Sequence, residues 1–309
     1  MANSIIVKKK IDSFNKKITV SGDKSLSIRW VLFSSLASGV SIANNLLLSE
    51  DVGAAIKAIR KLGIKVILKK HICKIFGKGI NGYNYKKNIT INAQNSGTLG
   101  RLILGLLINT PFPIRIVGDK SLSKRDFKRI SDPLTNFGAK FKLKDKKYLP
   151  LKIIGSNNLK SIKYNENRGS AQCKSAVIFG GMRAKGTTII NAKKSRNHTE
   201  LLSKYLSLPI KVNKKKRYDL IKINKTNKIK PLNYKIPSDI SSSAFFIVLT
   251  ALSKNSKLLI KNVNVNPSRI GIITILKKMG IKISLKNQKT YKGEKNADIL
   301  IKSSKKIKP

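Results

Sequence analysis

Short runs that set hydroxyls or glycine beside lysine, arginine or another hydrogen-bond donor recur along the chain, and their chemistry is that of oxyanion binding. Lys24-Ser25 with Arg29, Ser96-Gly97-Thr98, and Ser170 with Gln172 each open an apolar segment. Arg125 and Arg196 hold corresponding places at other segment starts. A helix that begins at such a run presents free backbone N–H groups and a partial positive charge, which together attract phosphate or carboxylate. Arginine adds a planar, bidentate donor and lysine a mobile point charge. One serine at a helix start is ordinarily a cap and nothing more. The weight lies in several such starts recurring in register.

That register comes from an internal repeat. Segments beginning at Ser49, Ser123, Ser195 and Asn266 share one plan, with starts 71 to 74 residues apart. A second series, at Ser25, Ser96, Ser170 and Ser241, keeps the same period. The repeating unit is expected to run strand–helix–strand–helix–strand, with Ser, Asn or Asp capping each helix. Ala54, Ala55, Ile56, Ile59 and Leu62 fall on or near one helical face. Gly63, Gly138 and Gly280 stand where a helix ends in a left-handed cap. Alternating basic and apolar residues then mark a half-exposed strand. Such a unit cannot bury its own apolar face and must pack on its sisters. The fold class is therefore α/β (α+β). Three complete units are expected over residues 21–231, and residues 1–20 with 232–309 are expected to form a partial second domain. The lysine- and asparagine-rich stretch from Asn213 to Pro231 suggests that boundary.

The chain has 309 residues, enough for two domains. It carries 65 Lys+Arg against 14 Asp+Glu, a formal net charge of +51. A nucleic-acid or membrane-surface binder would carry such a charge, but only 11 of the 65 are Arg and aromatics are 6%. Nucleic-acid readers lean on arginine and on stacking aromatics, whereas lysine here is spread over nearly every segment. The charge fits a solvated surface that draws anionic substrates toward it. Cys73 and Cys173 are the only cysteines and have no metal-type spacing, which fits a reducing compartment. No apolar stretch approaches the roughly 18 residues of a membrane span, and a cytoplasmic protein is expected.

The motifs also carry a specific resemblance. Gly22-Asp23-Lys24-Ser25-Leu26-Ser27-Ile28-Arg29 resembles a signature of the 5-enolpyruvylshikimate-3-phosphate synthase family, with Ser21 where that family often has proline. Asn95-Ser96-Gly97-Thr98 with Arg101 is similar to a second signature. Asp119 to Arg125 is similar to a third, with Asp126 in place of the usual proline. Ser170-Ala171-Gln172-Cys173-Lys174-Ser175-Ala176 and Ser195-Arg196-Asn197-His198-Thr199-Glu200 follow in family order, with Asn197 in place of aspartate. Asp239 to Phe246 and Asn266 to Arg269 complete the series. A related transferase acting on UDP-N-acetylglucosamine shares this chemistry, but residues 124–126 lack its cysteine-bearing loop.

The resemblance implies two domains built of pseudo-threefold units, with substrates in the cleft between them. It implies that Lys24, Ser25, Arg29, Ser170, Gln172 and Ser195 hold shikimate 3-phosphate. Lys24, Gly97, Arg125 and Gln172 are implied to surround phosphoenolpyruvate. No metal or organic cofactor is implied. Asn296 to Ser304 resembles the strand before the family's fifth unit, so the second domain is expected to be incomplete. The family's catalytic Asp and Glu would then lie beyond Pro309, with no catalytic residue identified here. Glu50, Glu166 and Glu200 are expected to be helix-cap neighbours or solvated carboxylates. Turnover is accordingly expected to need a complementing C-terminal polypeptide, the alternative being a phosphate-ligand-binding module without catalysis. The fourth unit is expected to leave apolar surface exposed.

Overall fold

The computed structural model describes residue 6 and residues 11–304; Met1 to Ser4 and the residues ending at Pro309 lie outside the described residues. Strand β1 (Asn15–Ile18) is followed by four rounds of one pattern. The first is α1 (Lys24–Ser35), β2 (Ser38–Asn44), α2 (Glu50–Lys61), β3 (Lys65–Lys69) and β4 (Ile72–Lys78). The second is β5 (Thr90–Asn92), α3 (Gly97–Leu107), β6 (Ile114–Val117), α4 (Lys120–Ser123), α5 (Lys128–Thr135), β7 (Lys140–Lys144) and β8 (Tyr148–Ile154). The third is β9 (Lys163–Glu166), α6 (Ala171–Gly181), β10 (Thr187–Lys193), α7 (His198–Tyr205), β11 (Ile210–Lys214) and β12 (Tyr218–Asn224). The last is β13 (Tyr234–Lys235), α8 (Ile240–Leu252), β14 (Lys257–Asn264), α9 (Gly271–Lys278), β15 (Lys282–Tyr291) and β16 (Glu294–Lys302).

Each round therefore closes on two antiparallel strands rather than the single strand expected. Tight turns join several of these hairpins. Asp145 and Lys146 have φ of 48° and 55°, and Lys292 and Gly293 have 50° and 84°. Paired positive φ values suit the twist of a two-residue hairpin. Lysine is an unusual residue there, so the sequence carried little turn signal. Gly63, Gly138 and Gly280 do take positive φ at the ends of α2, α5 and α9. The caps divide. Ser49, Ser96 and Ser170 cap α2, α3 and α6. Ser123, Ser195 and Asn266 cap nothing: Ser123 ends α4, α7 follows Asn197, and α9 follows Ile270. Asn266 instead folds its side chain onto the Ser268 N–H at 2.9 Å, a local turn that competes with helix.

The described chain divides into two compact units. Residues 22–236 form one of them. Its sheets are ordered β5-β6-β8-β7, β9-β10-β12-β11 and β13-β2-β4-β3. In the first two, the parallel pair is bridged by one helix, α3 or α6; in the third the parallel pair is β13–β2, distant in sequence; the other pairs are antiparallel. The strand completing the first-round sheet is β13, with Tyr234 opposite Ala43. Trp30 Nε1 donates to the Leu232 carbonyl at 2.7 Å. Both contacts hold residues 232–236 to this unit, past the position 231 suggested by composition.

Helices α1, α3 and α6 are buried on nearly every side, so the polar side chains they carry inward need partners within the protein. Gly105 lets α3 meet α6 closely, since a Cβ there would lie 2.1 Å from the Ala176 carbonyl oxygen. Phe33 and Phe179 stack α1 on α6 with ring centroids 5.0 Å apart.

The second unit comprises residues up to 21 and from 237 onward. Its sheet is β1-β14-β16-β15, so the N-terminal strand supplies the parallel partner of β14. With that strand, this unit has a full four-stranded sheet. Val20, Ile240, Ile247, Ile260 and Ile299 are among its core residues. Helix α8 differs from α1, α3 and α6 in leaving Phe245 79% and Leu252 69% exposed. The expected apolar surface is therefore present.

Candidate functional site

The inner helices of the 22–236 unit begin at three capped N-termini. Asp23 accepts from the Leu26 N–H at 2.9 Å, Ser96 from Leu99 at 3.3 Å, and Ser170 from Cys173 at 3.2 Å. Each cap satisfies one of the otherwise orphaned N–H groups of a first turn. Ser170 Oγ thus accepts as the cap, and its O–H is still able to donate. Glu166 holds the loop before it, accepting from the Ser170 N–H at 2.8 Å and the Arg168 N–H at 3.2 Å. It is a buried clamp rather than a solvated group.

Side chains then tie the N-termini of α3 and α6 together. Gln172 donates through Nε2 to Thr98 Oγ1 at 3.1 Å, and its Oε1 accepts from Arg101 Nη1 at 2.5 Å. Arg125, exposed in the segment after α4, donates to Asn95 Oδ1 at 3.1 Å. The two guanidiniums converge on Gly97. A Cβ built there would lie 3.1 Å from Arg125 Nη1 and 3.3 Å from Arg101 Nη1. Gly97, Arg125 and Gln172 are thus brought into one cluster, with Thr98 and Arg101.

Arg101 is 5% exposed, stacks over the Phe127 ring at 5.4 Å, and has no hydrogen-bond partner for Nε among the described residues. Burial, followed by repulsion from Arg129, pushes its pKa down to about 10. Arg125 adds a smaller repulsion, and Cys173 and Asp126 oppose it. The group stays charged at neutral pH. Crowded cations of this kind are relieved by a bound anion: at an effective dielectric of about 20, a unit pair 4 Å apart gains about 4 kcal/mol.

A second cluster lies where α1 meets α6 and α7. Arg29 donates from Nε to Thr199 Oγ1 at 2.7 Å, from Nη2 to Ser175 Oγ at 3.2 Å, and from Nη1 to the Ser25 carbonyl at 3.1 Å. Ser175 and Thr199 share a further bond of 2.7 Å. Arg29 is only 3% exposed, so it locks three helices and fixes the first turn that carries Ser25. Beside it, Lys174 and Glu200 form an ion pair at 2.7 Å, both buried. Glu200 is therefore not solvated, whereas Glu50 sits exposed in the first turn of α2.

Lys24 is half-exposed and pairs with Asp51 at 3.3 Å. Ser195 lies between β10 and α7, its Oγ buried without a hydrogen-bond partner among the described residues. Among the residues outside the expected set, Arg101 had the plainest signal. It is the one charged residue in the apolar run Gly97–Leu107, and such a residue is rarely buried without a purpose. Among the described residues, no group of three or more His, Cys, Asp and Glu could hold a metal ion.

Comparison with known proteins adds to this geometry. The family model for EPSP synthase (3-phosphoshikimate 1-carboxyvinyltransferase) matches residues 8–308. A 3-phosphoshikimate 1-carboxyvinyltransferase of Bacillus cytotoxicus is 38% identical, covering 94% of this chain and 68% of its own length. Relatives of the same name from Leuconostoc mesenteroides and Petrotoga mobilis are 37% and 38% identical, with 68% of their lengths covered. A solved structure of EPSP synthase from Acinetobacter baumannii superposes with a TM-score of 0.86 at 35% identity. It covers 94% of this chain, and 65% of its own length is matched. The chain thus spans about two thirds of the length of these relatives.

Proposed function

This chain belongs to the EPSP synthase family, and from that premise we propose that it serves enolpyruvyl transfer from phosphoenolpyruvate to the 5-hydroxyl of shikimate 3-phosphate, with release of phosphate. The observation that carries the proposal is the convergence of Arg101 and Arg125 on Gly97, with Gln172 bridging the two helix starts. Phosphoenolpyruvate bears a phosphate and a carboxylate, and that cluster supplies guanidiniums for both at a helix N-terminus. Gly97 leaves the room. Lys24 approaches as a mobile charge, exchanging Asp51 for substrate oxygen.

For shikimate 3-phosphate, Lys24, Ser25, Ser170, Gln172 and Ser195 present donors, while Arg29 acts by fixing the backbone that bears Ser25. Ser195 has the most direct case, because its hydroxyl has no protein partner among the described residues. Bound side by side, the substrates react by addition and elimination. The 5-hydroxyl oxygen attacks C2, giving its proton to a base, as C3 gains a proton. The C2–O bond to phosphate then breaks as C3 gives a proton up, leaving the enol ether and inorganic phosphate. These residues neutralise the two anions and hold oxygen against carbon, which supplies the orientation term of catalysis. Glu166, Glu200 and Asp51 are engaged in other contacts, and the family resemblance implies that the proton transfers fall to carboxylates in the remainder of the family's length, in this or a complementing polypeptide. Two separate buried thiols, Cys73 and Cys173, fit a reducing cytoplasm.

Ser195→Ala tests the binding half. It should weaken shikimate 3-phosphate by about 2- to 12-fold, the worth of one hydrogen bond of about 0.5–1.5 kcal/mol, without lowering the melting temperature. Unchanged affinity in calorimetric titration would remove Ser195 from the site, and no binding by the parent chain would remove the proposal.

A further inference from the structure

A second cavity lies within the 22–236 unit at the opposite ends of the same helices. It measures ≈ 420 Å³, within the usual range for small-molecule sites, and opens where α3 and α6 terminate. Helix α3 alone separates the two regions by roughly 16 Å of axial length, at 1.5 Å per residue. Arg183, the residue after the α6 C-cap, lines the cavity and is 8% exposed. Its Nε and Nη2 have no hydrogen-bond partner among the described residues, and Nη1 reaches Asn81 Oδ1 at 3.4 Å. The guanidinium lies over the Tyr83 ring at 6.0 Å, which covers one face and leaves its N–H edges to a ligand. Thr226 also lines the cavity at 4% exposure, with Oγ1 likewise unpartnered. Its backbone N–H donates to the Met182 carbonyl at 2.8 Å, which fixes it beside the end of α6.

Buried polar atoms are nearly always hydrogen-bonded, so two such side chains in one wall point to a missing occupant. Its charge follows from the lining. Lys185 and Lys225 stand with Arg183, and no Asp or Glu lines the cavity. Burial pushes the Arg183 pKa down to about 10, which leaves the guanidinium charged at neutral pH. The partial negative charge at helix C-termini accounts for a cation in this region. It does not account for guanidinium nitrogens that bond to no carbonyl. Asn81 and Asn109, bonded to each other at 3.4 Å, line the same space and offer amide groups to hydroxyls.

We propose that this cavity is a second anion site, taking a small phosphorylated polyol whose phosphate sits on Arg183, Lys185 and Lys225 and whose hydroxyls meet Thr226 and Asn81. Charge-assisted bonds to the guanidinium carry the affinity, and the amides select a hydroxylated ligand over bare phosphate.

The test is calorimetric titration of the full chain with glucose 6-phosphate, inorganic phosphate and glucose as probes. A Lys24→Met background weakens the helix-start site and isolates the cavity. Glucose 6-phosphate should bind, inorganic phosphate should bind more weakly, and glucose should not bind. Arg183→Met should weaken glucose 6-phosphate by about tenfold or more, the loss of one charged hydrogen bond. Lys225→Met, at an exposed position, should weaken it several-fold in a chain that still melts as the parent does, which keeps the test independent of any folding defect in Arg183→Met. The proposal is overturned if glucose 6-phosphate fails to bind in the Lys24→Met background. It is equally overturned if both cation variants leave its affinity unchanged, or if phosphate alone binds as tightly.

Discussion

Replacing Gly97 with alanine should pull stability and binding in opposite directions, and the structure supplies both magnitudes. The new methyl would lie 3.1 Å from Arg125 Nη1 and 3.3 Å from Arg101 Nη1, closer than ordinary van der Waals contact. Arg125 is exposed and flexible, so it gives way by a few tenths of an ångström and loosens its 3.1 Å bond to Asn95. Gly97 is the first residue of α3 and takes no positive φ. Alanine there should hold or raise stability by about 0.4–1 kcal/mol, by restricting the unfolded chain. Displacing one charge-assisted contact should cost about 1.5–3 kcal/mol of phosphoenolpyruvate affinity, or about 10- to 150-fold. Urea unfolding and calorimetric titration with shikimate 3-phosphate present read the two terms separately. Equal affinity for phosphoenolpyruvate in Gly97→Ala, with unchanged stability, would refute the placement of the anion beside Gly97.

The buried pair Lys174–Glu200 gives a second test. Lys174→Met or Glu200→Gln alone should destabilise by about 3–5 kcal/mol, because each strands or weakens a buried charge, while Lys174→Met with Glu200→Leu should recover most of the loss in urea unfolding. At Asp298 burial raises the pKa, but hydrogen bonds from Lys261, the Asn262 N–H and Asn287 outweigh it and leave the carboxyl below its ordinary value. Its folded pKa is depressed, so its contribution is present above the unfolded pKa of about 3.9 and is lost as pH falls through the folded value. Asp298→Asn should therefore flatten the acid limb of a stability–pH curve measured by urea unfolding below about pH 4.

Local signals in the sequence are legible where one residue decides one feature. Ser49, Ser96 and Ser170 cap helices because a hydroxyl can reach the third N–H, and Gly63, Gly138 and Gly280 take the positive φ that a helix end asks of them. Features decided by distant partners were not legible. That β13 completes the sheet of β2, and β1 that of β14, depends on pairings between residues 191 and 242 positions apart. The doubled hairpin strands escaped notice because Lys and Ile alternate alike on both arms, and lysine marks the turns. In the site, Ser96-Gly97-Thr98 and Arg125 announced themselves by type and spacing. The engagement of Arg29 with Thr199 and Ser175 did not, since nothing local distinguishes a guanidinium that binds substrate from one that binds helices. Arg101 and Lys174 carried a usable sign, a cation within an apolar helix, which burial turns into a demand for a partner.

Phosphoenolpyruvate titrated into the shikimate 3-phosphate-loaded chain, compared with Arg125→Met, bears on the anion cluster most directly. Arg125 is exposed, so its loss should spare the fold while weakening phosphoenolpyruvate by about tenfold or more, the worth of one charged hydrogen bond. Identical affinities for the two proteins would contradict the account.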